Sequence, residues 1–268
     1  LRYVDNGSAP SSEVLSTLTV GNGPLEIQTL NAGASAGSLV FSTLSGLLTG
    51  GAVVTLRSAN LFGSARNQVY FLSGTSVTSG IQRNMFVIDP AGTNFATYAP
   101  LTGVSAYTGY ALNTGAGSAG TQNTAPVGFN AAAASDNVKL TGVTTSINNP
   151  GRSGLTLNSL LLSGNAGFEL SLSGGAQLNL AAASVGSATL TAAGLAPLVV
   201  LGSSDAVVAV DTGATLQMNA ALVASPGNFI KALGGEWVLN ARSYFNTANN
   251  NFFFISGGTV TLNGGDNT

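Results

Sequence analysis

Toward the end of the chain the apolar positions fall two apart and are bracketed by glycines. Gly234-Gly235 is followed by Glu236-Trp237-Val238-Leu239-Asn240, and Gly257-Gly258 by Thr259-Val260-Thr261-Leu262-Asn263. A period of two is that of a pleated strand, so each phrase predicts a short strand. Trp237 and Leu239, or Val260 and Leu262, take one face, while Val238 and Thr261 take the other. A strand this short hides only one face and needs similar neighbours above and below it to make a core. Stacked coils supply such neighbours.

The phrase can be followed backwards. Gly213 opens Ala-Thr-Leu-Gln-Met-Asn219, Gly175 opens Ala-Gln-Leu-Asn179, and Gly154 opens Leu-Thr-Leu-Asn158. Gly154 and Gly175, Gly213 and Gly235, and Gly235 and Gly258 each stand one similar step apart, whereas Gly175 and Gly213 are separated by nearly two shorter steps. The period predicts an all-β chain, a parallel β-solenoid with coils of roughly 19–23 residues. Leu157, Leu178, Leu216, Trp237, Leu239 and Leu262 are the expected inward residues. Asn158, Asn179, Asn219, Asn240 and Asn263 close the phrases and form the expected ladder of stacked amides at one coil corner, a place where asparagine tolerates left-handed backbone.

Earlier in the chain, short apolar runs at 14–20, 25–30, 38–44, 53–56 and 68–72 alternate with small-residue turns and predict further strands. Met85-Phe86-Val87-Ile88 ends in Asp89-Pro90, and proline cannot donate within a ladder. Residues 113–126 are rich in Gly, Ser, Thr and Asn and read as a loop. The expected organisation is 1–136 as solenoid coils with an irregular excursion near 100–130, and 137–268 as regular coils. Tyr98, Tyr107 and Tyr110 flank that excursion. They are candidates for stacking on sugar rings, against the plainer reading that they pack the side of a coil.

Composition narrows the function. Of 268 residues only 18 are charged, against about a quarter in ordinary globular chains. The apolar share of 44% with period-two placement is unlike a disordered chain. The eight basic residues are scattered singly, so no patch for nucleic acid is expected. Without cysteine there is neither a disulfide framework nor a thiolate metal site. Apolar runs such as 198–201 and 206–210 fall far short of the roughly 18 residues of a membrane helix. The first residue is Leu1 and the last lies in what reads as a repeat, so the expectation is a piece of a longer polypeptide.

The segment 229–240, with Lys231 ahead of Gly234-Gly235, and the segment 257–268, ending Gly-Gly-Asp-Asn-Thr, resemble the autotransporter-associated β-strand repeat. That pattern runs approximately K-x-G-x-G-T-L-x-L-x-G-x-N-T-Y. Residues 92–98 and 189–201 are similar to the segments between such repeats in very large secreted bacterial proteins. Glu236 stands where the pattern has threonine, and 242–250 replaces a short loop. The resemblance implies a right-handed parallel β-helix on the outside of a bacterial cell, a scaffold shared by fibres, stalks, adhesins and enzymes.

Catalysis is not expected. The chain has no histidine, which removes Ser-His-Asp and Cys-His chemistry, and its ten acids are dispersed. Asp205 and Asp211 bracket one strand, about 20 Å apart at strand rise. No cofactor and no metal are expected. The leading expectation is a structural segment of an extracellular or cell-surface fibre, partnered end to end or side by side with copies of itself. The alternative is an adhesin-like passenger binding glycans or a neighbouring cell surface through its loops, and a polysaccharide-degrading β-helix enzyme stands third.

Overall fold

The computed structural model describes residues 1–5, 7–47, 50–110, 112–114, 137–141, 144–148, 155–157, 159–163, 168–173, 177–180, 183–184, 188–193, 198–201, 206–218, 221–224, 228–245 and 252–263. Every regular element among them is a β-strand. The chain divides into two compact units, Leu1–Gly109 and Tyr110–Thr268. The division falls at 109/110 rather than at 136/137, because the strand at 112–114 pairs with the strand at 137–141. Of the excursion expected near 100–130, residues 111 and 115–130 lie outside the described residues.

The first unit contains β1 (Arg2–Asp5), β2 (Ser11–Thr19), β3 (Pro24–Asn31), β4 (Gly37–Ser45), β5 (Val53–Ser58), β6 (Gln68–Phe71), β7 (Val77–Thr78), β8 (Ile81–Gln82), β9 (Met85–Asp89), β10 (Gly92–Ala99) and β11 (Gly103–Ala106). Strands β1, β3, β5 and β9 stack in parallel as one sheet, and β2, β4 and β6 as a second. Arg2 aligns with Gln28, Pro24 with Val53 and Val54 with Met85. Each two-sided coil is therefore longer than the expected step, at about 26–31 residues, within the range of stacked structural repeats. The apolar residues form columns through the coils. Ile27 aligns with Leu56 and Leu56 with Val87, all fully buried. Phe41 aligns with Phe71, and their rings stack 5.4 Å apart.

Parallel stacking stops after β9. Asp89-Pro90-Ala91-Gly92 turns the chain back, and β10 and β11 join as antiparallel strands. Proline has no amide to give to a ladder, and Gly92 takes a φ of 91°, which suits a tight reversal. Residues 1–109 are therefore not more coils of the expected kind. They are wider, two-sided coils finished by a hairpin.

The second unit contains β12 (Leu112–Thr114), β13 (Asn137–Thr141), β14 (Thr144–Asn148), β15 (Leu155–Leu157), β16 (Ser159–Ser163), β17 (Phe168–Ser173), β18 (Gln177–Leu180), β19 (Ala183–Ser184), β20 (Ala188–Ala193), β21 (Leu198–Leu201), β22 (Ala206–Ala209), β23 (Thr215–Met218), β24 (Ala221–Ala224), β25 (Phe229–Ala232), β26 (Glu236–Leu239), β27 (Tyr244–Phe245), β28 (Phe253–Ile255) and β29 (Thr259–Leu262). They form three parallel sheets, β12-β13-β16-β19-β22-β25-β28, β14-β17-β20-β23-β26-β29 and β15-β18-β21-β24-β27. This is a three-sided β-solenoid of about six turns. Phe168 aligns with Ala188 and Ala188 with Leu216, so the length of chain in one coil is not constant. It varies over about 20–28 residues, as corners of different length permit.

The glycine phrases do not share one column. Those after Gly154 and Gly175 are β15 and β18 in the five-stranded sheet, whereas those after Gly213, Gly235 and Gly258 are β23, β26 and β29 in the six-stranded one. The long gap between Gly175 and Gly213 therefore combines whole coils with a move to another face. A glycine turn can serve any of three corners, so its spacing alone does not say which.

Candidate functional site

Of the expected inward residues, Leu216, Trp237 and Leu239 are buried, Trp237 completely. Leu157 and Leu178 sit in β15 and β18, where no side chain is described. Leu262 differs from expectation and is 53% exposed, because β29 pairs with β26 on one side and, among the described residues, with no strand on the other. Trp237 stacks on Phe229 at 5.2 Å and meets Phe253 edge-on. Among the described residues its indole N–H finds no acceptor.

The asparagine series also separates. Asn263 donates its side-chain amide to Asn240 Oδ1 at 3.0 Å, and the backbone N–H groups of the two residues bond to Leu239 and Met218 of the preceding coil. Asn158 and Asn219 lie outside the described residues. Asn179 is inside β18, aligned with Thr156 and Val200, so it belongs to a different face from Asn240.

A second ladder lies in the first unit. Asp5 aligns with Asn31. Asp5, nearly buried, accepts the Gly7 N–H and the Asn31 side-chain amide, each at 3.1 Å. The Asn31 amide also reaches Ser35 O and Arg66 O at 2.9 Å. Asn60 donates to Asn31 O at 3.0 Å. Asp89 accepts from Phe62 N and Ala91 N. The signal was present in the chain: Asp5, Asn31, Asn60 and Asp89 each precede a glycine by two or three positions, at nearly equal intervals.

Lys231 is the residue that sequence reasoning valued only as part of a motif. It aligns with Val208 above and Ile255 below, and it is fully buried. Its ammonium donates to Ala232 O at 2.9 Å and to Leu233 O and Gly257 O at 3.0 Å. All three N–H groups are thereby used on carbonyls of two successive corners. Leu233 holds a left-handed φ of 62°, a conformation uncommon outside glycine, and Lys231 anchors its carbonyl. Burial pushes the Lys231 pKa down from 10.5 to about 8.

The described carboxylates are engaged one by one. Asp211 accepts the Thr212 N–H, Glu236 accepts the Thr261 hydroxyl at 2.6 Å, and Glu26 pairs with Arg57 at 3.2 Å on the surface. Asp205 lies outside the described residues, as do Asp136 and Asp266. Among the described residues no three acidic side chains gather as metal ligands. The hydroxyls of Tyr98 and Tyr107 bond to backbone carbonyls. Tyr98 packs on the core and donates to Phe71 O at 2.6 Å, Tyr107 donates to Gly109 O at 2.6 Å, and Tyr110 belongs to the second unit.

What remains is the outer edge of β28 and β29, which pairs with no further strand among the described residues. Phe252, Phe253, Ile255 and Leu262 are exposed there, beside the last rung of the Asn240–Asn263 ladder. A sheet edge that carries exposed apolar side chains is a template for a further strand. No helix among the described residues is long and apolar enough to cross a membrane. Comparison with protein-family models, with curated proteins and with solved structures returns no match.

Proposed function

We propose that this chain is a non-catalytic structural segment of an extended extracellular or cell-surface bacterial fibre or stalk. The observation that carries the reading is the edge of β28 and β29, where an in-register parallel stack ends on exposed Phe253, Ile255 and Leu262. A further coil laid on this edge buries those side chains and extends two sheets and the amide ladder by one rung. Burying a large apolar side chain contributes about 1.5–3 kcal/mol, so several of them together drive the addition. The likeness of 229–240 and 257–268 to autotransporter-associated repeats supports the extracellular setting, as does a surface of hydroxyls and amides with few charges.

Electron microscopy at rising protein concentration tests it. Filaments with an axial repeat of about 4.8 Å per coil are expected, and Leu262→Lys should shorten or abolish them. A compact monomer at every concentration, unaffected by Leu262→Lys, counts against the proposal.

A further inference from the structure

In mid-chain, the hairpin of β10 and β11 closes two sheet edges of the first unit at once. The sheet that stacks in parallel as far as β9 receives β10 next, and receives it antiparallel. The other sheet stops at β6. Leu72, the residue after β6, gives its N–H to Phe41 O on the β4 side, so by alternation the carbonyls of Val69 and Phe71 point away from β4. A further parallel strand on β6 would bond to those carbonyls. The hairpin covers them instead. Tyr98 of β10 donates its hydroxyl to Phe71 O at 2.6 Å, and Gly103 of β11 lies so close to Val69 O that a Cβ there would overlap it. Tyr70 of β6 holds the hairpin tip in return, donating to Leu101 O at 3.1 Å. Ala96 aligns with Ala106 and Tyr98 with Val104, so the four share one face of the hairpin. That face lies on the core: Ala96 and Val104 are fully buried in the cluster that holds Val69, Phe71 and Val87, and Tyr98 and Ala106 pack against it.

Stacked repeats need a cap wherever a stack stops, because an uncovered coil presents both core and edge to any other strand. Three parallel sheets follow in the same chain, yet among the described residues none of their strands joins β6 or β9. We infer that the β10–β11 hairpin is an internal cap, bolted by Tyr98, that keeps the β6 edge from pairing with a strand of a second copy of this chain. The fibre proposal concerns the β28–β29 edge and stands apart from this one. Past the hairpin the fibre is continued by the covalent chain, which runs on from β11 to β12, rather than by strand pairing.

Sedimentation velocity over a concentration series tests it with the full 1–268 chain. Every variant is made on Leu262→Lys and compared with that parent, so the outcome does not depend on growth at β29. Tyr70→Phe combined with Tyr98→Phe removes both hydroxyls and keeps both rings. Two hydrogen bonds lost raise the population of the open hairpin, and the concentration at which dimers form should fall by about tenfold. Gly103→Ala drives the hairpin off Val69 O and should lower that concentration further; if it does not fold, the tyrosine pair decides. Ile27→Val is the control, a smaller side chain in the core of β3, which lies between β1 and β5 and does not touch the cap by pairing. It should lower the urea midpoint and still sediment as the parent. Hairpin variants that sediment as the parent overturn the inference. So does association of Ile27→Val equal to theirs, since general loosening of the core would then be the cause.

Discussion

Asn263 and Asn240 are joined amide to amide across successive coils, at 3.0 Å, at the corner where β26 and β29 end. The bond is exposed, so its net contribution is small, about 0.5 kcal/mol. Asn240→Ala removes the acceptor and should lower the urea midpoint slightly. Asn240→Asp keeps an oxygen in place and should cost less. Equal midpoints for wild type and both variants would show that the ladder adds nothing to stability.

Asn31 is engaged far more heavily, with one amide serving Asp5, Ser35 and Arg66 and the side-chain oxygen holding Gly33 N–H at 2.9 Å. Asn31→Ala leaves the nearly buried Asp5 short of a partner and should cost about 1–3 kcal/mol in denaturant unfolding. Asn31→Asp should cost at least as much, since it sets a second carboxylate against Asp5. A loss no larger than that of Asn240→Ala would refute this ranking.

Lys231 makes stability depend on alkaline pH. Its folded pKa of about 8 lies below its ordinary 10.5, so between these values the unfolded chain binds more protons than the folded one. Stability therefore rises with pH across that window, and below about 8, where both states hold the proton, the burial cost of the charge stands in full. Lys231→Met has no such dependence, so wild type should gain on the variant as pH rises from 8 to 10. Parallel pH profiles would falsify the assignment. At neutral pH, the variant leaves carbonyls of two corners without their donor and is itself expected to be destabilised.

Trp237 is the one tryptophan in the chain and lies wholly inside the second unit. Its fluorescence should be blue-shifted in the native protein and move red on unfolding, which gives a local probe of the last coils. Trp237→Ala removes a ring stacked on Phe229 and should cost about 3–5 kcal/mol. Trp237→Phe should cost much less, because it keeps the aromatic packing and removes an N–H that has no acceptor among the described residues. Emission at the wavelength of free tryptophan in the folded protein would contradict the buried placement.

That the chain is all-β and that its strands stack was legible in the order of residues. Runs at 14–20, 25–30, 38–44, 53–56 and 68–72 reappear as β2 to β6, and the phrases of the second unit as β15, β18, β23, β26 and β29. Period-two alternation is a local property, carried by neighbouring residues and bounded by glycine, so it survives whatever the rest of the chain does. Which strands meet is settled only on folding. Register accumulates over corners whose lengths vary from coil to coil, and a phrase identical in form falls on one face or another accordingly. That is why Asn179 left the expected ladder while Asn240 and Asn263 stayed. The same holds for single side chains. Lys231 became a clamp because the corner carbonyls of the next coil came within reach, and Tyr98 met the Phe71 carbonyl because the hairpin folded back onto β6. Leu262, inward by pattern, is exposed because burial needs a neighbour on both sides of the strand, and alternation specifies only the face.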